Sequence, residues 1–216
     1  MRALVVYDNE SVKEGMKTGW GFSCLIDDDI LFDTGGDGET LLHNLRKLNV
    51  EIDHIKAVIL SHEHGDHTGG LLDLLEEREE LIIYALPSFS KRLEKIVPPT
   101  TKLVEVRGPM RIRESVFTTG PLGAYIEEQS LVYLGRKGGI VITGCSHPGL
   151  RNILNAASKF GRITGVMGGF HGFDDLGLLK EMDFISPCHC TWRKKKIAQE
   201  FPKQYVKCGV GLTVKW

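Results

Sequence analysis

Residues 61–67 read Ser-His-Glu-His-Gly-Asp-His, and three of the eight histidines of the chain fall within these seven positions. Imidazole nitrogens and a carboxylate oxygen are the donors that zinc takes in catalytic sites. In an extended segment side chains alternate, so His62 and His64 share one side. Asp66 and His67 follow Gly65, where the chain can turn them towards a second ion. The spacing thus offers two ligands to each of two metal ions. A polar turn rich in histidine by chance would not need so dense a pattern.

Three more histidines follow strand-like runs. His147 closes Gly144-Cys145-Ser146-His147 after Ile140-Val141-Ile142-Thr143. His171 ends Gly168-Gly169-Phe170-His171, and His189 lies in Pro187-Cys188-His189-Cys190 after Phe184-Ile185. Strand ends are where α/β proteins build their sites. His43, on a helical pattern, and His54, in a turn, do not share that position and read as structural. A lone histidine is more often packed than functional, but here one architectural position is repeated three times.

The elements needed to hold these residues are legible as short runs. Ala57-Val58-Ile59-Leu60 is continuously apolar, as in a strand buried on both faces, and it ends at Ser61-His62. Ala3 to Tyr7 alternates as a first strand, and 20–26 and 30–33 are strand-like around Asp27-Asp28-Asp29. Leu41, Leu42, Leu45 and Leu48 form one helical stripe, and Leu71, Leu72, Leu74 and Leu75 begin another that ends in the acidic run 76–80. Strand-like runs follow at 81–85, 102–106, 115–118, 130–134, 140–143, 163–167, 183–186 and 204–207, with helical patterns at 149–159, 175–181 and 193–200. Gly135–Gly139 reads as a hairpin turn. Segments 86–101 and 107–127 read as the places where specificity loops would lie. Strand-rich first and alternating afterwards, the pattern predicts an α/β (α+β) fold of two sheets with helices outside, a four-layer αβ/βα sandwich, in a single domain over residues 1–216.

The 216 residues carry a net charge of −1, with 42% hydrophobic and 25% charged residues, the balance of a soluble globular chain. That charge argues against nucleic acid or an anionic membrane as partner. No apolar run approaches the ~20 residues of a membrane-spanning helix, and MRALVVYDNE turns acidic too early for a secretory signal. The five cysteines, Cys24, Cys145, Cys188, Cys190 and Cys208, have no framework-like spacing and read as reduced thiols of a cytoplasmic protein. Trp192-Arg193-Lys194-Lys195-Lys196 is the strongest basic cluster; it reads first as a solvated helix face and second as a device for steering an anionic substrate.

His-Glu-His-Gly-Asp-His, together with Asp33-Thr34-Gly35 upstream, resembles the metallo-β-lactamase superfamily, over nearly the whole chain. Gly-Cys-Ser-His-Pro-Gly, Gly-Gly-Phe-His and Pro-Cys-His-Cys-Thr look like the branch named for a methanopterin-pathway dihydropterin synthase. The resemblance implies a dinuclear site with two Zn²⁺ ions, Fe or Mn being alternatives. His62, His64 and His147 would hold one ion, and Asp66, His67 and His189 the other; Asp33 would orient the ligand loop from behind. Many members carry a metal-bridging Asp where this chain reads Gly144-Cys145. Water or hydroxide alone would then bridge the ions, or Cys145 takes part, or the second site is weak; a buried inert thiol is the plainer reading of Cys145. His171 could be a ligand, a general acid, a contact to a substrate phosphate, or a packed histidine, with Gly168-Gly169 admitting a ligand close to the backbone. Six ligands already divide into two sets of three, which favours a catalytic His171 acting on substrate beside a catalytic Asp66.

The implied activity is a metal-dependent hydrolase that uses a metal-bound hydroxide on a small, anionic phosphoester or ester-like substrate. The alternative enzyme is a transferase joining a dihydropterin to ribofuranosylaminobenzene phosphate. A sensor that binds metal or ligand without turnover is the alternative of another class. Substrate and oligomeric state are not encoded in any readable motif.

Overall fold

A computed structural model describes residues 2–136 and 138–216, and within them the apolar runs pair into two mixed sheets. The strands are β1 (Arg2–Tyr7), β2 (Ser23–Ile26), β3 (Ile30–Phe32), β4 (Ala57–Ile59), β5 (Ile82–Ala85), β6 (Lys102–Glu105), β7 (Met110–Arg113), β8 (Val116–Thr118), β9 (Leu131–Gly135), β10 (Gly138–Thr143), β11 (Ile163–Gly169), β12 (Phe184–Cys188) and β13 (Thr213–Lys215). The helices are α1 (Gly38–Lys47), α2 (Gly65–Thr68), α3 (Leu71–Glu77), α4 (Pro87–Leu93), α5 (Leu150–Ala157) and α6 (Lys194–Glu200). One sheet runs β13-β1-β2-β3-β4-β5-β6 and the other β12-β11-β10-β9-β8-β7. Each has an antiparallel and a parallel part, the parallel parts being β3 to β6 and β10 to β12.

Three apolar layers separate these elements, which gives the αβ/βα sandwich. Between the sheets lie Val5, Phe22, Ile59, Ile140, Ile142 and Met167, contributed by both. Outside the first sheet, Leu41, Leu45, Leu74 and Phe89 of α1, α3 and α4 cover Val58 and Ile83. Outside the second, Ile153, Leu154 and Ile197 of α5 and α6 cover Val141, Val166 and Ile185. A parallel strand covered on both faces must be apolar at every position, which is why 57–60 reads as a continuous run. Asp37 caps α1 by accepting from the Thr40 amide at 2.7 Å, and its other oxygen accepts from the Tyr7 hydroxyl at 2.7 Å.

Several elements differ from the sequence expectation for identifiable reasons. Segment 86–101 contains α4, started by Pro87, whose ring fixes the first helical φ. Segment 107–127 contains β7, an edge strand paired to β8. The stretch 204–207 makes one isolated bridge, Tyr205 to Ile185, shortly after α6 ends at its C-cap Phe201. At 175–181 the chain forms only a 3₁₀ turn, Leu176–Leu179. β13 returns beside β1, with Arg2 opposite Lys215. β9 and β10 form the expected hairpin, with Gly135 opposite Gly138; Lys137 of its turn lies outside the described residues. No helix among the described residues is long and apolar enough to cross a membrane.

Candidate metal centre

Five of the parallel strands of the two sheets, β3, β4, β10, β11 and β12, lead at their C-terminal ends into polar residues of the site. β3 leads to Asp33, β4 through Leu60 to Ser61-His62, β10 to Gly144–His147, β11 to Phe170-His171, and β12 to His189. The turn from strand into loop is sharp: Asp33, Ser146, His171 and His189 have φ of 59°, 63°, 46° and 47°. Such left-handed backbone costs a residue with a side chain about 1–3 kcal/mol and persists only where the surroundings enforce it. Past His64 the extended segment ends at Gly65, where the chain turns as expected. Gly65–Thr68 is one helical turn, closed by the His67 and Thr68 amides donating to the His64 carbonyl. That turn points Asp66 and His67 back towards His189.

Hydrogen bonds behind the rings decide which nitrogen faces the centre. The Asp33 carboxylate accepts from the Ser61 amide (2.6 Å), from the Ser61 hydroxyl (2.7 Å) and from His67 Nδ1 (2.6 Å). A carboxylate can only accept, so Nδ1 of His67 carries the proton and Nε2 presents a lone pair. The Ser61 hydroxyl, having donated to Asp33, accepts from His62 Nδ1 at 2.8 Å, which leaves His62 Nε2 unprotonated, 3.1 Å from His64 Nδ1. At the opposite edge, Asn9 Oδ1 accepts from the Gly21 amide and lies 3.0 Å from His189 Nδ1. His189 is thereby held with Nε2 bare, and that nitrogen lies 3.2 Å from Asp66 Oδ2. Two lone pairs facing each other at this distance repel unless a cation, a metal ion or in its place a proton, sits between them. The Nε2 atoms of His147 and His189 are both buried without a hydrogen-bond partner. This donor set fits divalent metal ions.

The rings are crowded. Centroids are 4.6 Å apart for His62 and His64, 4.8 Å for His62 and His147, 4.9 Å for His64 and His147, and 5.0 Å for His67 and His189. Burial, then repulsion from His67 and His147, holds His62 far below the usual histidine range. Burial, then His64 and His171, lowers His147 to about 4. Burial also lowers His189. These rings are therefore neutral and available as ligands at pH 7. Burial would also depress His67, but Asp33 outweighs it and raises the ring. Asp66, His67, Cys145 and His189 bring ligand atoms within 4.8 Å of one another, and so do His62, Cys145 and His147. Cys145 belongs to both groups, its Sγ 3.2 Å from His67 Nε2. Contact with the Cys190 thiol, and then burial, push the Cys145 thiol up.

His171 lies at the edge, its ring 5.3 Å from His147 and 5.5 Å from the exposed Trp192. Gly168 and Gly169 do not open space for a ligand, as the sequence suggested. A Cβ at Gly168 would lie 2.1 Å from the Thr143 carbonyl oxygen, and one at Gly169 would lie 2.4 Å from that of Gly144. The pair is there to let β11 press against the end of β10. His43 bonds the Gly15 carbonyl at 3.2 Å, and His54 is exposed on a 3₁₀ turn; neither enters any of the metal-ligand groupings. In the basic cluster, Arg193, Lys195 and Lys196 are exposed, whereas Lys194 turns in to Glu10 at 3.1 Å.

Three residues of the site escaped the sequence reading. Asn9 orients His189. Trp20, 63% exposed, stands 5.0 Å from the same ring. Glu128 is fully buried, and its carboxylate accepts from the amides of Gly144 (3.1 Å), Cys145 (3.0 Å), Ser146 (2.9 Å) and His147 (2.8 Å). It holds the whole loop that presents Cys145 and His147. Burial raises its pKa, against the amides of His147, Ser146 and Cys145 and the charge of His67.

With this geometry in hand, similar proteins are informative. A family model for the metallo-beta-lactamase superfamily matches residues 25–151. The 7,8-dihydropterin-6-methyl-4-(beta-D-ribofuranosyl)-aminobenzene-5'-phosphate synthase of Methanocaldococcus jannaschii is 28% identical over 247 residues, covering 87% of this chain and 84% of that one. The crystal structure of Tm1679, a metal-dependent hydrolase of the beta-lactamase superfamily, superposes with a TM-score of 0.81 at 28% identity, over 100% of this chain and 99% of the other. The metallo-beta-lactamase fold protein YhfI from Bacillus subtilis shares the fold, with a TM-score of 0.71 at 16% identity over 99% of each chain.

Proposed function

The chain belongs to the metallo-beta-lactamase superfamily, and from that premise we propose that it is a dinuclear metal-dependent hydrolase of a small anionic phosphoester or ester-like substrate. In this reading residues 1–216 act as one domain, and zinc is the metal the ligands favour, with Fe or Mn as alternatives. His62, His64 and His147 hold one ion, and Asp66, His67 and His189 the other. The observation that carries the reading is the bare Nε2 of His189 facing Asp66 Oδ2 at 3.2 Å, beside the equally unpartnered Nε2 of His147. Cys145, shared by both groups of ligand atoms, is the residue available where other members place a bridging carboxylate. Two bound divalent ions supply a nucleophile from water at neutral pH and stabilise the oxyanion that develops on the substrate. Around them, Asp33 and Ser61 fix the ring tautomers and Glu128 fixes the loop at 144–147. Arg193, Lys195 and Lys196 supply positive charge beside the cleft.

The experiment is elemental analysis of protein purified without added metal, followed by a panel of phosphodiesters, phosphomonoesters and lactones. About two ions per chain, roughly 3.5–4 Å apart in a metal-bound structure, are expected. A fully loaded protein with one ion, and with Asp66 and His189 turned elsewhere, would end the dinuclear reading.

A second reading has its own observation. Trp20 and Trp192, 63% and 76% exposed, each stack tilted against a histidine of the site, Trp20 on His189 and Trp192 on His171. Two exposed indoles next to a basic cluster suit a planar, phosphorylated substrate. The transferase joining a dihydropterin to ribofuranosylaminobenzene phosphate, the activity in the name of the Methanocaldococcus relative, has such substrates. A sensor without turnover is disfavoured by the ligand set, since a pure binding module has no need of an open dinuclear site. Product analysis separates the enzyme readings: release of phosphate or acid from a single substrate, or condensation of two.

His171 is assigned to the substrate. It stands between His147 and Trp192 at the mouth of the centre, and six other residues already form two sets of three ligands. His171→Ala should keep the metal content and lower the chemical rate by roughly 10²–10⁴-fold, the range for loss of a general acid. Loss of one equivalent of metal would instead make His171 a ligand, and near-normal turnover with a lower Tm would make it a packed ring.

A further inference from the structure

A second cluster of metal-type donors lies one residue behind His189, away from the histidines. Asp8 leaves the end of β1, Cys188 is the last residue of β12, and Cys208 comes from the segment before β13. Their ligand atoms lie within 4.8 Å of one another. All three residues are buried, at 0%, 0% and 4% exposure. Asp8 Oδ1 accepts from the His189 amide at 2.9 Å, but Asp8 Oδ2 is buried with no hydrogen-bond partner. A carboxylate oxygen in that state is costly unless something satisfies it. Lys194 is the nearest cation in charge terms, yet its ammonium is committed to Glu10 at 3.1 Å.

We propose that Asp8, Cys188 and Cys208 bind a further divalent metal ion, of the thiolate-preferring class typified by zinc, as a closed structural site distinct from the histidine centre. Zinc–sulfur bonds of ~2.3 Å put two thiolates on one tetrahedral ion about 3.8 Å apart, within the span that these side chains already occupy. Sulfur donors select zinc or iron over magnesium or calcium. A carboxylate and two thiolates carry three negative charges, of which a divalent ion neutralises two, and the Lys194–Glu10 pair lies nearby. Binding releases the two thiol protons to solvent and changes no oxidation state. Cys24 on β2 is a further buried thiol beside Cys208, outside this group of ligand atoms. An ion here would tie β1, β12 and the C-terminal segment together. It would also hold, through Asp8, the backbone of His189 in its left-handed conformation. The site stands independently of the proposed hydrolase activity, because none of its donors belongs to the histidine centre.

The test uses cobalt substitution of the full-length protein, read by the thiolate-to-cobalt charge-transfer band and by metal content. The Cys145→Ser/Cys190→Ser variant removes the two thiols that adjoin the histidine centre. It should retain the band. Adding Cys208→Ser should abolish the band and remove about one equivalent of metal, while adding His64→Ala should leave the band in place. Absence of the band from the Cys145→Ser/Cys190→Ser variant overturns the proposal, whether or not the Cys208→Ser variant folds. So does a thiol count on denatured, unreduced wild-type protein that falls two short of the five cysteines, since Cys188 and Cys208 would then be joined as a disulfide.

Discussion

Asp66→Ala is expected to lower turnover by at least about 10²–10³-fold, the scale of removing one charge-stabilising group from a preorganised site, while the protein stays folded. The side chain makes no core contact that would explain its position. It is 21% exposed, and Oδ2 faces His189 Nε2 at 3.2 Å and His67 Nε2 at 3.8 Å. What ties this turn to the fold is backbone: the Asp66 carbonyl accepts from the Phe22 amide, and alanine keeps that bond. Metal content should fall by about one ion of two. In metal-free protein, burial opposes ionisation of Asp66, but the His189 contact and His67 outweigh it and hold the carboxyl below the usual range. A depressed folded pKa stabilises the fold above the unfolded value and ceases to do so as pH falls through the folded one. The Tm gap between wild type and Asp66→Ala should therefore be fullest above about pH 4 and close at lower pH. Most of the activity surviving at saturating metal would refute the two-metal reading, and a variant that cannot fold would give the turn a structural role.

The place of the candidate site was legible where polar residues follow strand ends. The apolar run 57–60 requires a doubly covered strand, and a polar, histidine-rich heptad directly after it has few other uses. The same logic placed His147, His171 and His189 at strand ends. Where side chains point was less legible, because it depends on backbone that single residues do not reveal. Gly65–Thr68 winds into a helical turn too short to have a period, so Asp66 and His67 reach their neighbours by rotation and not by alternation. The Gly168-Gly169 pair was misread for a related reason. Glycine signals close approach, but only the sheet shows that β10, and not a ligand, is what approaches. Asn9 and Glu128 were invisible because their partners lie 180 and 16–19 residues away. α4 did carry a signal, Pro87 followed by Phe89 and Leu93 at helical spacing, in a stretch otherwise rich in charge and proline.

Glu128 yields the largest expected effect on stability. In sequence it is one of the adjacent acids Glu127-Glu128 in a loop, with nothing to separate it from a solvated charge. In the fold its Oε1 accepts three successive amides and its Oε2 a fourth, so the loop at 144–147 is wound around one carboxylate. Glu128→Ala strands those amides in a buried place. Each unsatisfied donor costs about 1–3 kcal/mol where water cannot reach it, and breaking a buried charged network typically costs about 3–5 kcal/mol in all. Glu128→Gln should fall between Ala and wild type. Its amide oxygen can keep the three bonds at one end, but its NH₂ group then opposes the His147 amide, donor against donor. Denaturant unfolding of the metal-free proteins should thus order them wild type, Gln, Ala. Metal affinity should fall in the same order, by roughly 10–100-fold for a residue that orients ligands from behind, because the loop carries both Cys145 and His147. If Glu128→Ala unfolded within about 1 kcal/mol of wild type, water would be satisfying the amides. If stability fell while metal affinity held, the loop would be kept in place by the His147–metal bond itself, and Glu128 would serve only the fold.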